Sequence, residues 1–123
     1  LRDEAGASFR ADGTSAIADD KWHFIAAVAD ASKGKSSIWI DGKREAEADF
    51  NKNSGYGTNE GVVAIGRHYD RYTKGIIDDV GLFNVALTAD DIKTIMDAGL
   101  GGVSTAVSTR NKLAITWGEI RKR

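Results

Sequence analysis

Short apolar runs separated by glycine- and aspartate-rich turns constrain the fold of this chain more than any other feature. The runs recur at intervals of about 8–15 residues, and turn signals lie between them. This spacing is typical of an all-β sandwich and not of a helical bundle. We therefore predict one domain of antiparallel strands, with a single peripheral helix near residue 90.

The predicted strands differ in how strongly the sequence supports them. Residues 22–29 are apolar on both faces, which predicts a central strand with Trp22 in the core, where we also place Trp39. Asp41-Gly42 is the strongest hairpin signal, because both residue types tolerate the positive φ angles of a two-residue turn. The remaining predicted strands are residues 7–10, 37–40, 44–50, 62–67 and 75–83.

A helix is predicted over residues 89–98, directly after the last strand. Thr88 is a favourable N-cap residue, and Asp91 three positions later completes a capping-box variant. Gly99 suits the C-terminal cap. The side chains expected on the buried face are Ile92, Ile95 and Met96.

Asp78 is an unusual residue within the predicted strand 75–83. Because strand side chains alternate, Asp78 would share a face with Ile76, Val80 and Leu82. An ionised carboxylate among aliphatic neighbours is unfavourable unless it is hydrogen-bonded or bound to a cation. The residue is therefore a structural ligand or a buried polar anchor, or the strand register is shifted by one.

Composition limits the classes of partner. The 123 residues contain 17 basic and 18 acidic side chains, which gives no electrostatic basis for binding nucleic acid or an anionic membrane. The absence of cysteine excludes a disulfide framework and a thiolate metal site, although it does not exclude secretion. No run reaches the roughly 18 apolar residues of a membrane span. The chain opens on Leu1 without a signal peptide, which we interpret as a piece of a longer parent chain with other domains.

Five sequence blocks, taken in order, resemble the LamG-like jelly-roll domain of the concanavalin A-like lectin/glucanase superfamily. The resemblance implies an antiparallel jelly-roll β-sandwich in partial form, with residues 1–100 in the domain and its N-terminal strands apparently missing. Residues 101–123 would form a linker and a short Trp-Gly tail. The blocks are Trp22-His23-Phe24-Ile25-Ala26, Ile38-Trp39-Ile40-Asp41-Gly42-Lys43, Ala64-Ile65-Gly66-Arg67, Gly75-Ile76-Ile77-Asp78-Asp79-Val80 and the stretch from Asn84 to Ile92.

Candidate ligand-binding residues lie in the two long loops between strands. Sugar sites combine an aromatic platform with polar loop groups, because a flat ring stacks on the apolar face of a pyranose. The alternative is that the loop tyrosines only cover the end of the sandwich. The candidates are Tyr56, His68, Tyr69, Arg71 and Tyr72.

The resemblance also implies a metal and raises the question of catalysis. Related modules hold a structural calcium near the aspartate equivalent to Asp78, with most other ligands from upstream strands; the alternative is a hydrogen-bonded structural carboxylate. Glu45, Glu47 and Asp49 alternate on one predicted strand as glucanase carboxylates do, but the hydrophobic spacers of that pattern are absent. We interpret them as a solvated polar face and predict no catalytic residue.

The sequence thus predicts a non-catalytic recognition module of an exported or cell-surface bacterial protein. It would bind carbohydrate or a protein surface through loops at the end of the sandwich, with no nucleic-acid partner and no membrane span. The alternatives are a structural spacer or adhesion repeat without a ligand, and third a glucanase-like hydrolase. Function here rests on analogy, because fold alone does not fix it.

Overall fold

The structure of the protein, a computed structural model, describes residues 10–49, 64–102 and 114–116. All strand pairs in this part of the chain are antiparallel, and they are accompanied by one α-helix and one 3-10 turn. The predicted all-β fold with a single short helix is therefore confirmed. The elements are β1 (Ile25–Asp30), β2 (Lys35–Ile40), β3 (Lys43–Asp49), β4 (Arg67–His68), β5 (Arg71–Tyr72), β6 (Gly81–Phe83), α1 (Ala89–Ala98), the 3-10 helix Leu100–Gly102 and β7 (Ala114–Thr116).

Some predicted strands fall where little or nothing is described. Residues 7–9, Phe50 and residues 62–63 lie outside the described residues, as do residues 117–123 of the predicted tail. The domain boundary placed near residue 100 stays a prediction. Residues 114–116, which belong to the predicted tail, form β7 and pair with β6.

The largest sheet has the strand order β1-β2-β3. Its middle strand is β2, so the prediction that residues 22–29 form a central strand is wrong for the described part of the chain. Two successive tight connections place β2 between its neighbours in sequence, and apolar composition does not determine that order. Trp22 precedes β1 and is 69% exposed, so its predicted place in the core is also wrong, whereas Trp39 on β2 is half-buried.

The Asp41-Gly42 hairpin between β2 and β3 is confirmed. Asp41 has φ 49° and Gly42 has φ 75°, the paired positive angles of a tight two-residue turn. A Cβ at position 42 would lie 3.1 Å from Met96 Cε, so the missing side chain also lets α1 approach the turn. The sheet and the helix meet at this point.

A β-bulge interrupts the pairing of β2 with β3. Ile38 pairs with Ala46 and Trp39 with Arg44, which leaves Glu45 without an opposite residue. The Glu45 carboxylate accepts hydrogen bonds from Thr14 N at 2.7 Å, from Ser15 N at 2.9 Å and from Ser15 Oγ. These bonds, first the one from the Ser15 hydroxyl, hold the pKa of Glu45 below its usual value. The bulge thus attaches the segment before β1 to the sheet.

Helix α1 follows its sequence signals closely. Thr88 Oγ1 accepts from Asp91 N at 3.1 Å, and Asp91 Oδ2 accepts from Thr88 N at 2.9 Å, which completes the capping box. At the other end Gly99, with φ 70°, donates its N–H to Ile95 O at 2.8 Å. The predicted helix bounds and caps are confirmed.

The core lies beneath this helix. Ile92 is fully buried and Ile95 is 5% exposed, while Met96 is half-buried. Burial of an isoleucine side chain stabilises a fold by about 1.5–3 kcal/mol, so these two residues are the main apolar anchor of α1. The partly buried side chains packed around Ile95 are Phe24, Phe83, Leu87 and Leu100.

The predicted strand over residues 75–83 is mostly wrong, because β6 begins only at Gly81. Asp79 has φ 49°, which breaks the extended backbone just before that point. Asp78 is exposed and its Oδ1 accepts from Asp79 N at 2.9 Å, so it is not a buried polar anchor. Ile76, expected on the same core face, is 79% exposed.

Candidate ligand-binding site

Strands β4 and β5 form a small antiparallel hairpin that carries most of the predicted site residues. Arg67 pairs with Tyr72, and His68 pairs with Arg71. Thr73 N donates to Gly66 O at 2.8 Å, which extends the pairing by one step. A two-residue turn of Tyr69 and Asp70 closes the hairpin.

Tyr69 at the tip adopts an uncommon backbone conformation. Its φ is 56°, in the left-handed region that bulky residues rarely occupy. Two contacts hold it there: Arg67 Nε donates to Tyr69 O at 2.8 Å, and the His68 ring meets the Tyr69 ring edge-on, with centroids 4.6 Å apart. Strained backbone of this kind recurs at binding sites, where the surrounding structure over-determines it.

A surface cavity of about 370 Å³ lies against the hairpin, within the range of about 300–1,000 Å³ common for ligand sites. Gly66 borders it with φ 74°, and a Cβ there would lie 3.1 Å from Ile77 Cδ1. A larger residue at this position would be strained and would press on Ile77. The residues lining the cavity are Gly66, Arg67, His68, Arg71, Tyr72 and Thr73.

The structure brings His68, Tyr69, Arg71 and Tyr72 together in this hairpin, while Tyr56 lies outside the described residues. Tyr69 is 73% exposed and Tyr72 is 68% exposed, so little of either ring is used in packing. Their role as ligand contacts stays a prediction.

Arg67 and Thr73 are not among the site residues that the sequence predicts. Arg67 is placed across from Tyr72, with its Cζ 5.9 Å from the ring centroid, a cation–π distance. The signal that could have found it is the two-residue turn at positions 69 and 70. A tight turn there makes positions 67 and 72 direct partners, whereas the composition of the segment predicts only a polar loop.

The predicted calcium ligand has a different setting. Asp78 lies on an exposed segment and is bonded to the backbone of its own neighbour. Among the residues that the structure describes, no group of three or more histidines or carboxylates is arranged to hold a metal. Calcium binding stays a prediction.

The three alternating carboxylates of β3 do not form one uniform face. Glu45 is diverted by the bulge to residues 14 and 15. Glu47 Oε2 accepts from Arg44 Nη1 at 2.6 Å, and Lys35 lies between Glu47 and Asp49 and forms ion pairs with both. The prediction of a solvated polar face holds for Glu47 and Asp49, which are exposed.

A second polar cluster surrounds His23 at the entrance to β1. His23 Nδ1 lies 2.8 Å from Asp41 Oδ2, and Nε2 lies 2.8 Å from Asp19 Oδ1. Carboxylates only accept hydrogen bonds, so both contacts are satisfied when the imidazole carries two protons. The bonds to Asp41 and then to Asp19 raise the pKa of His23. Asp41 Oδ1 also accepts from Phe24 N at 2.8 Å. The cluster therefore holds the residues just before β1 against the β2–β3 turn.

The fold is that of an antiparallel β domain, a sandwich in partial form, and its β4–β5 hairpin exposes aromatic and cationic side chains. The family model described as Concanavalin A-like lectin/glucanases superfamily, Laminin_G_3, matches residues 1–93. The chain belongs to this family, which confirms the resemblance noted in the sequence.

Similarity to a solved structure supports the same fold. The crystal structure of an S-layer domain-containing protein from Clostridium thermocellum superimposes with a TM-score of 0.51 at 24% sequence identity. The match covers 68% of this chain and 43% of that chain, so the present chain spans less than half of the solved one. No curated protein matches. Among the described residues, none of the helices has the length and hydropathy of a membrane span.

Proposed function

We propose that this chain is a recognition module of a cell-surface protein and that it binds carbohydrate through the β4–β5 hairpin. Family membership supports a lectin-like binding role. The name of the structural neighbour, an S-layer domain-containing protein, supports an extracellular location at the cell surface. The partners of the module would be glycans, together with the other domains of a longer parent chain.

The observation that carries this proposal is the pair of exposed tyrosines beside the hairpin cavity. Tyr69 and Tyr72 present rings that are 73% and 68% exposed, and Tyr72 lines the cavity. An open tyrosine ring can stack on the apolar face of a sugar. Arg71 and Thr73 line the same cavity and can supply hydrogen bonds to sugar hydroxyl groups.

Binding without hydrolysis fits the setting of the β3 carboxylates. Glu45 accepts backbone hydrogen bonds, while Glu47 and Asp49 are paired with cations. A glycosidase needs one carboxyl group with a raised pKa as general acid, yet the pKa of Glu45 is lowered. We therefore propose that the module holds its ligand and leaves it intact.

The test is binding of the full chain to a panel of soluble polysaccharides, neutral and acidic, measured by titration calorimetry. We expect Tyr72→Ala to weaken binding about five- to 150-fold, since stacking on an aromatic ring contributes about 1–3 kcal/mol in comparable ring contacts. Trp22→Ala is the matched control, because Trp22 is 69% exposed and lies outside the hairpin. It should leave affinity unchanged.

Three results would overturn the proposal. Absence of binding across the panel would favour a structural spacer without a ligand. An equal loss in Tyr72→Ala and Trp22→Ala would place the site elsewhere. Release of reducing sugar from any polysaccharide would favour the glucanase-like hydrolase, and Glu47→Gln would then test its carboxylate.

A further inference from the structure

Among the residues that the structure describes, cations without carboxylate partners are concentrated in and beside the β4–β5 hairpin. The described residues include ten lysines and arginines, and six of these form ion pairs with aspartate or glutamate. Three of the remaining four lie between residues 67 and 74. The four are Lys43, Arg67, Arg71 and Lys74.

The charges of the hairpin do not cancel one another. Arg67, Arg71 and Lys74 face a single carboxylate in the segment, Asp70 at the tip of the turn, and no ion pair joins it to any of them. Elsewhere in the described chain, every lysine and arginine except Lys43 has a carboxylate partner at 3.5 Å or less, as Lys35 has in Glu47. The hairpin is therefore a local positive surface on a protein whose formal net charge is −1.

The guanidinium groups of Arg67 and Arg71 have N–H groups that can donate hydrogen bonds to a ligand. Arg67 uses its Nε–H for the Tyr69 carbonyl at 2.8 Å, which fixes the side chain and leaves the N–H groups of its two terminal nitrogens for a ligand. Arg71 lines the same cavity and is exposed. Two arginines at one cavity suit carboxylate, sulfate or phosphate groups, because the guanidinium fork donates two parallel hydrogen bonds to such anions.

We propose that the hairpin selects acidic glycans, whose uronate, sulfate or phosphate groups are bound by Arg67 and Arg71 while a sugar ring stacks on Tyr72. This inference rests on the proposed function and adds the ligand class to it. A glycan fits better than an acidic protein because the exposed Tyr72 ring and the two guanidinium groups border one surface cavity. The role of Arg71 is direct contact with the anion.

The test compares polygalacturonate with its methyl ester, two polymers that differ in charge and share the same backbone. We expect the full chain to bind polygalacturonate at least about tenfold more tightly than the ester, with affinity falling as salt is raised from 50 to 300 mM, because exposed charge pairs are screened over about 10 Å at 0.1 M salt. Sulfated dextran and dextran form the second pair and distinguish sulfate from carboxylate. Phosphorylated mannan and mannan form the third.

Variants assign the selectivity to the hairpin. Arg71→Gln should weaken binding to the acidic polymer about tenfold, the loss expected for one charge-assisted hydrogen-bonded contact, and should leave the weaker neutral binding unchanged. Lys43→Gln is the matched control. Lys43 lies at the start of β3, away in sequence from the β4–β5 hairpin, and is an exposed cation without an ion pair in the described part of the chain. It should not change either affinity.

The outcomes show which of the two proposals fails. Equal binding of acidic and neutral polymers that Tyr72→Ala abolishes would leave the glycan-binding function in place and overturn the acidic selectivity. Polyglutamate or single-stranded DNA binding as tightly as the acidic glycans would show that the hairpin responds to charge alone, and would also overturn it. No binding to any polymer would overturn both.

Discussion

Asp30, at the end of β1, provides a quantitative test of how the sheet is held together. Its Oδ1 accepts from Ser32 N at 3.0 Å, from Ser32 Oγ at 2.5 Å and from Lys33 N at 3.2 Å, so one carboxylate closes the turn into β2. Lys33 Nζ lies 3.0 Å from Oδ2. These contacts, first the Ser32 hydroxyl and then Lys33, lower the pKa of Asp30 from 3.8 to about 2.

The magnitude follows from this pKa. A decrease from 3.8 to about 2 corresponds to about 2.4 kcal/mol in favour of the charged form, at about 1.4 kcal/mol for each tenfold change in an equilibrium constant. The Lys33 side chain is 76% exposed, so solvent screens its ion pair and the usable stabilisation is smaller. We expect Asp30→Asn, which removes the charge and keeps an acceptor, to reduce the free energy of unfolding by about 1 kcal/mol at pH 7.

The pH dependence gives the sharper test. Because the folded-state pKa is below the unfolded one, the stabilisation is present above pH 3.8 and is lost as pH falls through about 2. The difference between the natural chain and Asp30→Asn, measured by urea unfolding followed by circular dichroism, should shrink to about a third at pH 2.5. Lys33→Met is the control that keeps the Ser32 bonds. A difference that is absent at pH 7, or that does not decrease in acid, would refute the reasoning.

Three further predictions concern other parts of the chain. Because the pKa of His23 is raised in the folded state, its contribution to stability is present below pH 6.5 and is lost as pH rises through the folded-state value. The melting temperature of the natural chain should therefore fall from pH 6 to pH 9, and that of His23→Gln should not. Tyr69→Asn, which tolerates the left-handed backbone better, should raise the free energy of unfolding by about 0.5–1 kcal/mol in urea and weaken glycan binding in calorimetry; an unchanged affinity would remove Tyr69 from the site. If calcium binds Asp78, saturation at 100 times Kd should stabilise the natural chain by about 2.7 kcal/mol, and Asp78→Asn should abolish the thermal shift; identical melting in calcium and in chelator would end that prediction.

Local signals in the sequence were sufficient where a structure depends on neighbouring residues. The Thr88 cap, the apolar spacing of Ile92 and Ile95 and the Gly99 terminus predict α1 to the residue. Asp41-Gly42 likewise predicts the β2–β3 hairpin, because both φ angles are set within the turn itself. These interactions span four residues or fewer along the chain.

Predictions failed where the outcome depends on distant partners. Trp22 and Ile76 are residue types typical of a core, yet each is more than two-thirds exposed. Burial requires another element packed against the side chain, and the local sequence does not show which element that would be. The strand predicted from position 75 fails at Asp79, whose left-handed φ no hydrophobic pattern reports. In the candidate site, residue types predicted a polar and aromatic loop, while the hairpin and its Arg67–Tyr72 pairing required knowledge of the register.

The bulge at Glu45 has a consequence for how this hairpin can vary in length. Arg44 and Ala46 already face Trp39 and Ile38, two consecutive residues of β2, so a chain lacking Glu45 could keep the same ladder on both sides of the gap. Glu45 is thus an insertion with respect to the sheet and a tether with respect to residues 14 and 15. Removal of Glu45 would leave the strand pairing intact and would release the segment around residues 14 and 15. The pairing of β2 with β3 and the attachment of that segment can therefore change independently of each other.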